Sequence, residues 1–343
     1  MKGIRIRRFG GPECLEIVDL PEPTPGPGEL RIAVEAAGVN FADVLCRLGV
    51  YAAAPPPPFV PGIEFAGVVL ERGEGVKRPV EGERVFGFCR FGGYAEQVVV
   101  RAEHALPMPD GVGFEEAASF PVRYLTAWHG LERLARVESE ERVLVRSAAG
   151  GVGEAALELL RLRGARVIAT VGAEWKRGRV AAISPEARIV LDRKEELCRA
   201  IEEEGGAVDV VFDGAGGALF PVGWSRLAPG GRYILYGASS AVGPGALSKL
   251  AAAWRLRRML AVAPLAMIST NRTLAAFNLI FLTDRGDRLR RDADQLLALW
   301  REGRIAPRAE RVVPLEQAAK VHRELQERRT VGKIVLRVAR NVE

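Results

Sequence analysis

The stretch RVLVRSAAGGVGEAALELLRLRG, Arg142 to Gly164, decides the fold. Its opening RVLVRS (142–147) is a continuous apolar run of the kind buried on both faces of a parallel sheet. Its closing half places Ala155, Ala156, Leu159 and Leu160 on one helical face, with Gly164 where a C-cap would end the helix. Between them lies SAAGGVG, Ser147 to Gly153. A pyrophosphate needs a tight turn, a backbone it can approach without an obstructing Cβ, and a helix N-terminus with unpaired N–H groups. Gly150, Gly151 and Gly153 supply these, with Ala148, Ala149 and Val152 completing the turn. A glycine-rich turn alone is weak, but between a strand and a helix it reads as a dinucleotide site.

The pattern repeats downstream. RVIATV (166–171), ARIVLD (187–192), VDVVFDG (208–214) and GRYILYG (231–237) are further apolar runs separated by helical patterns, the signature of a doubly wound α/β sheet. Upstream of Pro121 the text changes to short runs punctuated by Gly and Pro: IRIRRF, LRIAVEAAGV, AGVVLERG, RVFGF and YAEQVVV, which read as strands. PEPTPGPGE (21–29) and AAAPPPPFVPG (52–62) are stiff connectors. Beyond about residue 281 come a helix over Ala293–Trp300, another over Leu315–Gln326 and a last strand, KIVLRV. We therefore expect a mainly-β domain from residues 1–121 and 281–343 around a dinucleotide-binding domain at 122–280.

Composition agrees with an ordinary globular protein: 343 residues, 48% hydrophobic and 27% charged, enough for two cores. The net charge of +6 is spread along the chain except around Lys249, Arg255, Arg257 and Arg258. No aromatic-interleaved basic motif accompanies it, which excludes nucleic acid as the expected partner. Cys14, Cys46, Cys89 and Cys198 are scattered and form no CxxC pair, so the expectation is a reducing cytoplasm. The N-terminus has no apolar signal core, and the most apolar stretch, 259–283, is interrupted by Pro264, Asn271 and Arg272, so no integral membrane segment is expected.

Between the nicotinamide cofactors the choice turns on the end of the second strand, where NAD sites place a carboxylate against the ribose hydroxyls. Val171 stands there, about 18 residues beyond Gly153; Gly172 lets the chain turn, and Lys176 and Arg177 follow. These favour NADPH over NAD, with a solvated basic turn as the plainer account and Glu174 weakening the case. Glu154, in the first helical turn, would repel a pyrophosphate if it pointed inward; the expectation is that it points outward.

Taken together, EAAGVNFADVLCRLGVY (35–51), VPGIEFAGVV (60–69), GGYAEQVVV (92–100), SAAGGVG, VFDGAGG (211–217) and VGKIVLRV (331–338) resemble the medium-chain dehydrogenase/reductases over nearly the whole chain. Within them the chain looks like the zinc-free quinone oxidoreductases, the zeta-crystallin group, and 236–278 is similar to the branch of the vesicle protein VAT-1. The resemblance implies a GroES-like substrate domain built from both chain ends, a Rossmann domain between, and an active site in the cleft. Where zinc alcohol dehydrogenases carry a Cys and a His ligand, this chain has Asn40 and Ile63, so no metal is expected. His104, His129 and His322 lack ligand spacing.

Without a Lewis acid, hydride addition to a quinone or an α,β-unsaturated carbonyl is easier than alcohol oxidation. The expected function is an NADPH-dependent quinone reductase-like oxidoreductase, with another alkenal or enoyl reductase, or a cofactor-binding membrane-associated protein of little turnover, as alternatives. Candidate catalytic residues are Asn40, to hydrogen-bond the nicotinamide ribose or the substrate oxygen; Asp43, to order that network; and Tyr51, to donate a proton or stack on a ring. Polar loop structure is the rival account for each, and for proton donation by Tyr51 it is the preferred one. The resemblance adds cofactor contacts at Thr126, Gly214, Ala215, Tyr236, Gly237, Ala238, Phe277, Asn278 and Lys333. Phe88, Phe91 and Tyr94 are read as core before pocket, and Cys46 as packing. A homodimer is implied, with NRTLAAFNLIF (271–281) as an edge strand.

Overall fold

A computed structural model describes residues 1–241, 259, 262, 264–283 and 286–338; the basic stretch Lys249–Arg258 lies outside the described residues. The chain divides into two compact units, Met1–Arg123 with Leu279–Glu343, and Tyr124–Asn278.

The first unit is GroES-like and mainly β. A two-stranded ribbon of β1 (Lys2–Ile6) and β2 (Leu15–Asp19) accompanies a seven-stranded sheet. That sheet is ordered β14 (Arg311–Pro314), β15 (Ile334–Arg337), β3 (Glu29–Gly38), β4 (Glu64–Arg72), β5 (Arg84–Phe88) and β7 (Ala105–Pro107), with β6 (Gln97–Arg101) also paired to β3. In β3 the period of two is legible: Leu30, Ile32 and Val34 are buried against Phe65, Val69, Val98 and Val100, while Arg31 on the other face carries ion pairs to Glu22 and Glu71. The last strand comes from the far end of the chain, Val335 pairing antiparallel with Gly38. Helices α1 (Phe41–Arg47) and α2 (Phe114–Ala118) belong to this unit, and α3 (Pro121–Trp128) contains the division between the two.

The second unit is a Rossmann-like sheet of six parallel strands in the order β10 (Arg188–Leu191), β9 (Arg166–Val171), β8 (Arg142–Arg146), β11 (Val208–Asp213), β12 (Leu227–Leu235) and β13 (Thr273–Ala276). Helices α4 (Gly151–Arg163), α5 (Arg177–Ile183), α6 (Lys194–Glu203) and α7 (Phe220–Ser225) follow the strands, and the apolar runs bury Leu144, Ile168, Val211 and Tyr233 against Leu197 and Ile201 of α6 and Phe220 of α7. From β8 the chain first builds outward through β9 to β10, then returns to lay β11, β12 and β13 on the other side. The gap between β8 and β11 is the topological switch point at which sheets of this kind hold ligands.

A short helix, α8 (Pro264–Thr270), precedes β13, which is only four residues long and leads into a 3₁₀ turn at Leu279–Leu282, so the NRTLAAFNLIF segment is an edge strand only in its first half. Helix α9 runs Gly286–Arg301, starting well before Ala293, and α10 covers Ala318–Gln326 after a 3₁₀ turn at Leu315–Gln317.

Candidate functional site

In the second unit the sequence-predicted cofactor residues fall on one rim. Ser147–Gly153 follows β8, Gly172–Lys176 follows β9, Gly214 and Ala215 follow β11, Tyr236–Ala238 follow β12, and Phe277 and Asn278 follow β13. The strand ends are in register, Arg146 opposite Asp213, Asp213 opposite Leu235 and Leu235 opposite Ala276, so these loops leave the sheet at one level. Ser147 takes the left-handed conformation (φ 60°), folding the turn so that Gly150 becomes the N-cap of α4. A Cβ on Gly153 would sit 2.5 Å from the Ser147 carbonyl oxygen and 2.6 Å from that of Ala148, so glycine is what lets α4 lie this close to the turn. A Cβ on Gly172 would meet nothing within 4 Å. The second unit thus offers a helix N-terminus without a side-chain cap and an open loop beside it, an arrangement that would fit the pyrophosphate and ribose of a dinucleotide.

Thr126 is buried in α3. Phe277 packs edge-on against His129 at 4.7 Å, and Tyr236 stacks on Phe212 at 4.3 Å, while a Cβ on Gly214 would meet the Tyr236 hydroxyl oxygen at 2.5 Å. Lys176 is buried at the start of α5, with its ammonium 5.0 Å from the Trp175 ring. Arg177 turns away from the rim to Glu174, Glu196 and the carbonyl of Ile189, which ties up the Glu174 charge.

Glu154 does not point outward to solvent. It is 3% exposed, and its carboxylate accepts two bonds from Arg179 of α5, at 2.6 and 3.1 Å. The outward expectation treated the residue alone, whereas the α4–α5 contact gives it a partner that single-sequence spacing did not reveal.

Sequence reasoning also missed the buried charge cluster beneath the rim. Arg146, 1% exposed, donates to Asp213 at 2.9 Å, to Asp192 at 3.0 Å and to the Gly216 carbonyl at 2.9 Å. Asp213 further accepts from the backbone N–H of Ala215 and Gly216 and from the Tyr233 hydroxyl. Burial alone would weaken the guanidinium's hold on its proton, but Asp213 and Asp192 more than offset it and raise its pKa. The cluster fixes the Gly214–Gly217 turn. Its signal was an Arg in a run otherwise read as an apolar core strand.

In the first unit, Asn40, Asp43 and Lys333 come together, and Glu64, Tyr94 and His322 join them. Asn40 is the N-cap of α1; the Asp43 carboxylate reaches back to its backbone N–H at 2.8 Å, one half of a capping box. The Asn40 amide donates to Glu64 at 2.7 Å, and its oxygen accepts from Lys333 at 2.7 Å. Lys333 also pairs with Glu64 and donates to the Val39 carbonyl. Asp43 accepts from Gly62 N–H at 3.3 Å and from the Tyr94 hydroxyl at 3.1 Å, and Tyr94 stands 3.5 Å from His322 Nε2.

Every acid and base here is at most 3% exposed. Burial pushes the Asp43 carboxyl up to about 6, partly opposed by its bonds to Asn40 and by Lys333. Burial, helped by Arg47, holds His322 down at about 3, so it is neutral. Burial also lowers Lys333, against the attraction of Glu64. Tyr51 is half-buried on the loop after α1, its carbonyl accepting from Ala54 N–H. Phe88 packs on His104, and Phe91 on Phe59. Burial raises the thiol pKa of both Cys46 and Cys89.

Zinc does not suit this donor set. Asn40 spends both ends of its amide on Lys333 and Glu64, Ile63 is a buried hydrocarbon, and the Cys89 thiol donates to the Gly62 carbonyl. Among the described residues no group of three or more His, Cys, Asp and Glu is gathered for a metal ion, and no helix is long and apolar enough to cross a membrane.

Two families match the chain: residues 26–110 match "Alcohol dehydrogenase GroES-like domain" and residues 186–336 match "Zinc-binding dehydrogenase". The chain is 35% identical over 335 residues to the synaptic vesicle membrane protein VAT-1 homolog of Rattus norvegicus, covering 96% of this chain and 82% of that one. Among solved structures it superposes on a human VAT-1 homolog-like protein with a TM-score of 0.84 at 29% identity, over 99% of both chains. It superposes on the Escherichia coli quinone oxidoreductase complexed with NADPH at TM-score 0.84 and 27% identity, over 98% of this chain and 100% of that one. It is 31% identical to a mycobacterial protein complexed with NADPH, at TM-score 0.85 over 98% and 99% of the two chains.

Proposed function

The chain belongs to the medium-chain dehydrogenase/reductase superfamily, and from that premise we propose that it is a zinc-independent, NADPH-dependent oxidoreductase acting on a quinone or an α,β-unsaturated carbonyl. The observation that carries the reading is the second unit's rim: a glycine turn pressed against a helix N-terminus, an open loop at Gly172, and Val171 in place of a carboxylate. Relatives solved with NADPH, and others described as quinone oxidoreductases and enoyl reductases, support it.

When bound, NADPH would supply hydride to an electrophilic carbon, and the negative charge left on the conjugated oxygen would be neutralised by a proton from a side chain or water. The protein's own contribution starts with binding. The N–H groups at the start of α4, with Ala148–Gly153, hold the pyrophosphate. Gly172 and Lys176 receive the phosphorylated ribose, and Thr126, Gly214, Ala215, Tyr236–Ala238, Phe277 and Asn278 form the nicotinamide end. Asn40, held by Lys333 and Glu64, is the polar group offered to the substrate oxygen, while Asp43 fixes the backbone that carries it. Lys333 in this account holds Asn40 rather than touching the cofactor. Donors set in advance need no reorganisation as charge develops.

The test is NADPH oxidation by the purified chain with a panel of quinones and enones. A chain that binds NADPH and reduces none of them sinks the reading. The relatives described as vesicle membrane proteins keep a second reading open, a cofactor-binding, membrane-associated protein of little turnover; binding to anionic vesicles without turnover would favour it. We further propose a reducing compartment, which suits four free cysteines, and a homodimer through the β13 edge, which a monomeric mass in light scattering would contradict.

A further inference from the structure

A carboxylate in the first turn of a helix that is to receive a pyrophosphate is a contradiction unless something cancels it. Glu154 is that carboxylate. Its N–H makes the bond to the Gly150 carbonyl, 2.9 Å, so the N–H groups of Gly151, Val152 and Gly153 just ahead of it have no i−4 partner inside the helix and are the ones that meet an anion. At 1.5 Å of rise per residue, Glu154 lies within about 5 Å along the axis of the helix start. Its side chain is 4% exposed, so water does little to screen it. What neutralises it is Arg179 of α5, which straddles both carboxylate oxygens in the bidentate geometry that guanidinium favours.

We infer that Arg179 sets the affinity of the second unit for an anionic dinucleotide by cancelling the Glu154 charge, without itself touching the ligand. The inference rests on the NADPH reading and adds to it a residue outside every cofactor loop. Without Arg179, the Glu154 carboxylate both repels the pyrophosphate and competes for the positive end of the α4 dipole. A unit charge at this range in a partly buried setting weakens binding on the order of tenfold or more.

The experiment is NADPH titration followed by tryptophan fluorescence, with thermal melting as a check that each variant is folded. Arg179→Ala is expected to bind NADPH at least about tenfold more weakly than the wild type. Arg179→Lys should recover most of the loss. The decisive comparison is Glu154→Gln against Glu154→Gln/Arg179→Ala: the double variant, with neither charge, should bind NADPH within about threefold of the wild type, and Glu154→Gln, whose Arg179 charge is uncancelled, should bind as tightly as the wild type or more so. This pair holds even if Arg179→Ala alone folds poorly. If Arg179→Ala binds like the wild type, the inference falls and the proposed function stands. If the double variant binds as weakly as Arg179→Ala, Arg179 is itself a ligand and the inference falls. A wild-type chain that binds no dinucleotide overturns both.

Discussion

The Lys333 ammonium donates to the Asn40 side-chain oxygen at 2.7 Å, from 293 residues further along the chain. With the Asn40 amide donating to Glu64, the carboxamide is fixed at both ends by a lysine from one terminal region and a glutamate from β4. Removing one member leaves the other's charge buried and alone. Lys333→Met is expected to cost about 3–5 kcal/mol of stability, measured by urea unfolding, and Glu64→Gln/Lys333→Met should regain most of it. If the clamp positions Asn40, Lys333→Arg should retain kcat where the double variant, though folded, loses it.

Two buried groups in the same cluster pull stability in opposite directions with pH. Asp43 titrates near 6 in the folded chain against an ordinary 3.8, so between those values the folded state keeps a proton that the unfolded state releases, and stability falls as pH rises. His322 titrates near 3 against 6.5, so between those values the unfolded state takes up a proton that the folded state refuses, and stability falls as pH drops. Over its full window the effect is about 3 kcal/mol for Asp43 and about 5 kcal/mol for His322. Urea unfolding at pH 4.5 and 7 should show His322→Gln becoming more stable on acidification relative to the wild type, and Asp43→Asn less.

Two glycines on the rim make opposite predictions. Gly153→Ala drives a Cβ into two backbone oxygens; it should destabilise by about 1–3 kcal/mol and abolish NADPH binding. Gly172→Ala enters open space, so its melting temperature should match the wild type while NADPH binding weakens, because only the ligand occupies that space. Equal binding by Gly172→Ala would put the ribose elsewhere.

Selectivity for the phosphorylated cofactor is assigned to Lys176 and to the lack of an acid at Val171. Lys176→Ala should weaken NADPH about tenfold with little effect on NADH, and Val171→Asp should reverse the preference. Comparing kcat/KM for both cofactors reads this directly.

Cys14, Cys46 and Cys89 are buried, and Cys198 alone is partly exposed. One thiol per chain should react quickly with a colorimetric disulfide reagent and three only on unfolding; a second fast thiol would contradict the packing around Cys46 or Cys89.

The Rossmann unit was legible because burial on both faces leaves long uniform runs. RVIATV is β9 residue for residue, and the turn after β8 carries its own glycines. The first unit was harder. β2, β7 and β14 are short and half-exposed or end in proline, so neither run length nor alternation marks them. For the site, local spacing indicated Gly150–Gly153, but the resemblance alone pointed to Asn40, and nothing pointed to Glu64 or His322. Their signals are contacts between segments far apart in sequence, as are the partners of Lys333, Val39, Asn40 and Glu64, which no local pattern near residue 333 predicts.

The pairing of β15 with β3 has a consequence for how the chain is made. While a ribosome extends the polypeptide, β3 appears first, and the strand that fills its Ala36–Gly38 edge only about 300 residues later. The Tyr124–Asn278 unit, whose six strands are all contained within it, is complete while the first sheet still presents an unfilled edge. That edge is a template for any extended segment that arrives first, so the interval before Ile334–Arg337 emerges is when the nascent protein most needs a chaperone.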